Sequence, residues 1–234
     1  MWLVVGQDGD VEARWIAKEL RARTDRPVEL IEASTLAHDC RWEHRIGGAG
    51  ASSRLVVGHD TVVDSARVDG VVNRLTWLGA DGFLGASHRD RDYATGELYA
   101  LGLSWLESLG PCVLNRPTGI GLSGAWRTPG QWRALARSVG LPIVPYGSDD
   151  GWDSPGDVDD QVVIVLDGEV LDDGLPPEVG AGLIELQRVS GLDLLEARLT
   201  AGGALRTVSF LACLSRLGDR VADAVHTALV RRGR

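Results

Sequence analysis

Lysine is nearly missing from this chain: Lys18 is the single one, and the other 23 of the 24 basic residues are arginine. A lysine ammonium on its flexible stem is a good point charge for phosphate, so any phosphate grip here has to be built from arginine. Codon bias in a GC-rich coding sequence accounts for the arginine excess without a functional reading. Cysteine is also scarce. Cys40, Cys112 and Cys213 are odd in number and lack paired spacing, which excludes a disulfide framework and fits a reducing compartment. No apolar run approaches the roughly 20 residues of a membrane span. Met1-Trp2-Leu3-Val4-Val5-Gly6 enters an apolar strand without the basic stretch that opens a signal peptide. A cytoplasmic protein with no membrane partner is expected. The net charge of −9 opposes a nucleic-acid partner, because phosphate repels such a surface. Gly-x-Ser-x-Gly, Cys-x-x-Cys and His-Glu-x-x-His are all absent.

What remains is an ordinary globular composition, 44% hydrophobic and 24% charged, long enough for one large domain or two small ones. Residues 2–5 read as a buried strand closed by Gly6-Gln7-Asp8-Gly9-Asp10. A helix follows, with Asp10 as its N-cap and Val11, Trp15, Ile16 and Leu20 toward the core. Val28–Ile31 is the second strand, so the chain opens as a βαβ unit without the phosphate-binding glycine fingerprint. Short strands and hairpins are expected over 41–63, and a further strand at Val71-Val72. Helices are expected over 91–109 and 131–139, with the strand Cys112–Leu114 between them. Residues 147–160, rich in Asp and Gly, have linker composition. Beyond them, Asp167-Gly168 and Ala201-Gly202-Gly203-Ala204 mark two hairpins in an α+β tail that ends in a helix.

Two loops repeat each other. Residues 71–79 read Val-Val-Asn-Arg-Leu-Thr-Trp-Leu-Gly and residues 113–121 read Val-Leu-Asn-Arg-Pro-Thr-Gly-Ile-Gly, identical at five of nine positions. In both, Asn-Arg leaves the end of a buried strand, where an open α/β sheet binds its ligands. Arg74 and Arg116 there offer forked donors to a carboxylate or phosphate, and Asn73 and Asn115 cap the turns or reach the ligand. The structural alternative has the asparagines bonding local backbone and the arginines pairing with nearby acids. Gly121 and Ser123 lie in a glycine-rich run, 119–124, that either cradles an anion through its amides or is simply flexible. His38, Cys40 and His44 fall short of the four paired ligands of a structural zinc site, and no metal is expected there. Trp77, Trp126 and Trp152 fall near loops, where they would either line a cleft or be ordinarily half-buried.

On these segments the chain resembles the ATP-grasp superfamily, and within it the carboxylate–amine ligases that act on protein tails or ribosomal peptides. The resemblance rests on Val71-Val72-Asn73-Arg74, on Tyr93-Ala94-Thr95-Gly96-Glu97-Leu98, on Val113-Leu114-Asn115-Arg116-Pro117, and on Ala134–Pro142 within Trp132–Tyr146. It implies an α/β fold with a Rossmann-like pre-ATP-grasp domain over 1–146, the linker over 147–160, and a truncated ATP-grasp-like α+β region over 161–234. In such ligases a lysine-bearing subdomain closes over ATP where this chain has only its linker, and a Glu-x-Asn pair holds magnesium where this chain has Val208-Ser209-Phe210-Leu211. Asp193 and Glu196 are the only acids near that position, and are the candidate cofactor-binding residues. Phosphoryl transfer depends on positioning and charge neutralisation, which this chain is poorly equipped to supply.

The expectation is therefore a degenerate ATP-grasp-like protein, a pseudoenzyme that binds an acidic small molecule, a peptide or a partner protein in a homo- or hetero-oligomer. The alternative is a minimal ATP-dependent carboxylate–amine ligase, completed by another subunit or using arginines for lysines. ATP and magnesium are implied only in that second case.

Overall fold

The computed structural model describes residues 1–48, 50–58, 61–80, 82–145 and 160–233. The chain divides into two compact units, Met1–Gly124 with His226–Arg234, and Ala125–Val225. The linker reading of 147–160 and Trp152 lie outside the described residues, apart from Asp160.

In the first unit, β1 (Trp2–Gly6) is buried along its whole length and runs parallel to both β2 (Val28–Glu32) and β6 (Gly70–Asn73). A strand covered on both faces reads as an unbroken apolar run. Between them α1 (Val11–Arg23) starts at Asp10, whose Oδ1 accepts from the Glu12 and Ala13 amides at 3.0 Å each. Gly6 permits the close entry of this helix: a Cβ on it would lie 3.0 Å from that of Ala13. The buried stripe of α1 is Ala13, Ile16, Ala17 and Leu20, whereas Val11 is exposed and Trp15 half-buried. Small alanines let the backbone approach the sheet, so the bulkier Trp15 and Val11 turn to the flank.

The short helix α2 (Ala33–His38) follows β2. The strands β3 (Cys40–Gly47), β4 (Gly50–Val57) and β5 (Thr61–Asp64) then form an antiparallel meander, as the alternating pattern predicts. The long helix α3 (His88–Leu109) packs on β4, and β7 (Val113–Leu114) completes the parallel sheet in the order β2-β1-β6-β7.

The second unit holds α4 (Pro129–Ser138), opened by a Thr128–Gln131 capping box that satisfies two otherwise orphan amides. Its sheet has the order β11-β10-β8-β9, all antiparallel, from β8 (Gln161–Leu166), β9 (Glu169–Val170), β10 (Leu194–Leu199) and β11 (Leu205–Ser209). Asp167 and Gly168 both have positive φ, 51° and 79°, the backbone of a type I′ hairpin turn. Helix α5 (Pro177–Ser190) and α4 contribute Val179, Leu183, Leu186, Trp132 and Ala136 to a core with Val163, Val165, Leu195 and Ala197. Buried Gln187 stitches the hairpin: its Nε2 donates to the Val165 and Asp193 carbonyls, and its Oε1 accepts from the Gly168 amide. Helix α6 (Asp219–Arg232) ends in Arg231 and Arg232, where positive charge suits the helix dipole. Among the described residues no helix is long and apolar enough to cross a membrane.

Candidate functional site

In the parallel sheet the chain runs from β1 outward to β2, then returns to the other side of β1 with β6. The crevice beyond the carboxyl ends of β1 and β6 is thus the switch point where such sheets bind ligands. The two loops that leave those strands are tied together there. The Arg74 amide donates to the Val5 carbonyl at 2.8 Å, and Gln7 Nε2 donates to the Trp77 carbonyl at 2.9 Å.

Three of the six predicted ligand-binding residues, Asn73, Asn115 and Ser123, are bonded to one another where β6 ends. Asn73 is buried; its Nδ2 donates to the Asn115 carbonyl at 3.0 Å and the Leu122 carbonyl at 2.7 Å, and its Oδ1 accepts from the Leu75 amide at 3.2 Å. Ser123 Oγ donates to the Leu75 carbonyl at 2.7 Å. Asn115 is buried in the left-handed region at φ 56°, a conformation that asparagine tolerates better than most residues. Gly121 exchanges both backbone hydrogen bonds with Thr118, so its amide is taken by the turn.

The two arginines part company. Arg74 is only 5% exposed, and its Nε and Nη2 donate to Asp10 Oδ2 and Oδ1 at 2.8 and 3.3 Å. Burial alone would raise the Asp10 carboxyl, but the Arg74 guanidinium and the α1 amides outweigh it and hold the group below its ordinary value. Arg116 is exposed and pairs with Glu107 near the end of α3 at 2.5 Å. The two arginines are thus placed apart: the Arg74 guanidinium locks the cap of α1, and that of Arg116 lies in a surface pair.

Of the two acids expected near a magnesium ion, Glu196 has its carboxylate engaged within the protein. Glu196 is 3% exposed, with Oε1 accepting from Arg198 Nε at 3.0 Å and Oε2 from the Cys213 amide at 2.8 Å. Asp193 offers its backbone carbonyl to the Asp167 amide at 2.9 Å and to Gln187 at 2.6 Å. Magnesium demands near-octahedral oxygen ligation, which a carboxylate closed on a guanidinium and an amide does not offer. Among the described residues no three His, Cys, Asp or Glu side chains group as a metal site. His44 is bonded to the Ser53 and Ser104 hydroxyls at 2.7 and 2.9 Å, and His38 meets the Phe83 ring at 5.3 Å. Burial pushes the Cys40 thiol up to about 11, so it stays protonated at neutral pH.

Among the described residues of the first unit are two open cavities. One, of about 180 Å³, lies on the meander among Glu43, Arg45, Ser52, Arg54 and Asp64. The other, of about 90 Å³, lies among Asp8, Ser34, His38, Trp77 and Gly79. Motif reading missed the second as a unit. Its signals were Asp8 in the turn after β1 and Trp77 in the first Asn-Arg loop, but the register of β1, β2 and β6 is needed to join them. Trp77 and Trp126 are both exposed, at 49% and 57%.

No protein-family model and no curated protein sequence matches this chain. Solved structures do match it. The macrocyclase MdnC of Microcystis aeruginosa MRC, bound with precursor peptide MdnA, is similar at a TM-score of 0.75 and 12% identity, over 99% of this chain and 99% of its own. ATP-grasp ligase PsnB, complexed with a phosphomimetic variant of a minimal precursor, Mg and ADP, gives 0.69 at 18% identity, over 99% and 98%. A RiPP-associated ATP-grasp ligase of Chryseobacterium gregarium, in complex with ADP and a leader and core peptide, gives 0.67 at 9% identity, over 100% and 97%. At such identities the likeness is one of fold: this chain has the mixed α/β fold of the ATP-grasp ligases.

Proposed function

We propose that this chain is a non-catalytic, peptide- or partner-binding component built on the ATP-grasp fold. The observation that carries the reading is Glu196. The acid nearest the expected metal position is buried, with both oxygens already satisfied by Arg198 and the Cys213 amide. Freeing that carboxylate for a metal would take the acceptor away from the Arg198 guanidinium and the Cys213 amide. The scarcity of lysine points the same way. Peptide binding draws support from the similar proteins, whose structures hold precursor peptides.

In this reading residues 147–160 join a pre-ATP-grasp portion, 1–146, to a shortened ATP-grasp-like region, 161–234, and the protein works in the cytoplasm beside a partner. Asn73, Asn115, Gly121 and Ser123 frame the crevice instead of touching the ligand. The test is turnover: the protein is incubated with magnesium, ATP and a peptide carrying both carboxylates and amines. No ADP or AMP above the protein-free control is expected. Stoichiometric release that depends on the peptide would replace this reading by that of a minimal ligase.

A further inference from the structure

We infer that the cavity at the switch point is a subsite for an ammonium-bearing peptide side chain, that of a lysine. This deepens the peptide-binding reading and rests on it. Asp8 supplies the charge. Its Oδ1 accepts from the Ser34 amide at 3.1 Å and the Ser34 hydroxyl at 2.7 Å, which fixes the carboxylate. Its Oδ2 has no hydrogen-bond partner among the described residues and is left for a ligand.

Trp77 supplies the wall. The chain there is pinned by Gln7, and the ring leans on Tyr99 with centroids 5.9 Å apart, yet it remains 49% exposed. Tryptophan is the ring that attracts a cation most strongly, and the Asp8 carboxylate lines the same cavity. Among the described residues no arginine or lysine lines the cavity, and the His38 imidazole is its one basic group. The nearby cation Arg14 is already paired with Glu32 at 2.8 Å. The protein's net charge of −9 draws cations toward its surface.

Size decides among cationic and aromatic guests. The cavity of about 90 Å³ is smaller than the roughly 150 Å³ that accommodates benzene. It takes an ammonium with its adjoining methylenes, while the rest of a lysine stem lies along Trp77.

The experiment follows the tryptophan indole N–H signals by NMR, with that of Trp77 assigned through Trp77→Phe. Two blocked tripeptides are titrated, Gly-Lys-Gly and its norleucine counterpart. The lysine peptide should move the Trp77 signal and bind about tenfold tighter than the norleucine peptide. Asp8→Asn keeps an Oδ1 acceptor for Ser34 and removes the charge, so it should abolish that preference with an unchanged Tm. Equal binding of the two peptides, a preference that survives Asp8→Asn, or a silent Trp77 signal would each overturn the subsite. Calorimetric heat from the lysine peptide with Trp77 silent would leave the peptide-binding reading standing and sink only this pocket. Peptide-dependent ADP release would instead sink the non-catalytic reading, whatever Trp77 does.

Discussion

The two Asn-Arg loops leave neighbouring parallel strands and agree at five of nine positions, yet they end in different work. After β6, Asn73 spends its amide on the backbone of the second loop, and Arg74 closes on the cap of α1. From there the chain continues to an exposed Trp77 beside a cavity. After β7, Asn115 turns left-handed, Arg116 meets Glu107 on the surface, and the chain folds into the closed Thr118–Gly121 turn. The lesson is that an Asn-Arg pair at a strand end carries no fixed role. The partner within reach decides it, a helix-cap carboxylate in one case and a solvent-facing glutamate in the other.

Substitutions separate the two loops by energy. Arg74→Ala leaves the Asp10 charge without its guanidinium in a largely buried setting, and a loss of about 3 kcal/mol in urea unfolding is expected. Asn73→Ala removes donors to two buried carbonyls and an acceptor for the Leu75 amide, for a loss of about 2 kcal/mol by the same measurement. Asn115→Ala keeps a Cβ in the left-handed region but removes the short polar side chain that makes that conformation tolerable, and should cost about 1 kcal/mol, whereas Asn115→Gly should cost less. Arg116→Ala breaks only a surface pair and should fall within about 0.5 kcal/mol of wild type. Equal losses at Arg74 and Arg116 would erase the contrast.

Acid sharpens it further. The Asp10 carboxyl is held below its ordinary value in the folded protein. Its contribution is therefore full above the ordinary carboxylate range and is lost as pH falls through the depressed folded value. The stability gap between wild type and Asp10→Asn, from urea melts at several pH values, should be widest near neutrality and shrink in acid.

Part of this was legible in the chain itself. Asp10 before an apolar run announced the cap of α1, and Asp167-Gly168 announced a turn that needs two positive φ values. The Arg198 partner of Glu196 was readable too, since residues two apart share a strand face. Its other partner, the Cys213 amide, comes from 17 residues away and has no local signal. Nor did the bulk of Trp15 reveal that Ala13 and Ala17 face the sheet, because the closeness of α1 to β1 is set by Gly6 and packing. The cavity was least visible: it joins Asp8, Ser34 and Trp77, residues that meet only when three parallel strands are in register.

The central claim is that the fold of an ATP-dependent ligase persists here without the grip on its nucleotide, and isothermal titration of the purified protein with ATP, with and without magnesium, tests it most directly. No heat and no rise in Tm at millimolar ATP is the predicted result. Micromolar binding that requires magnesium would contradict it.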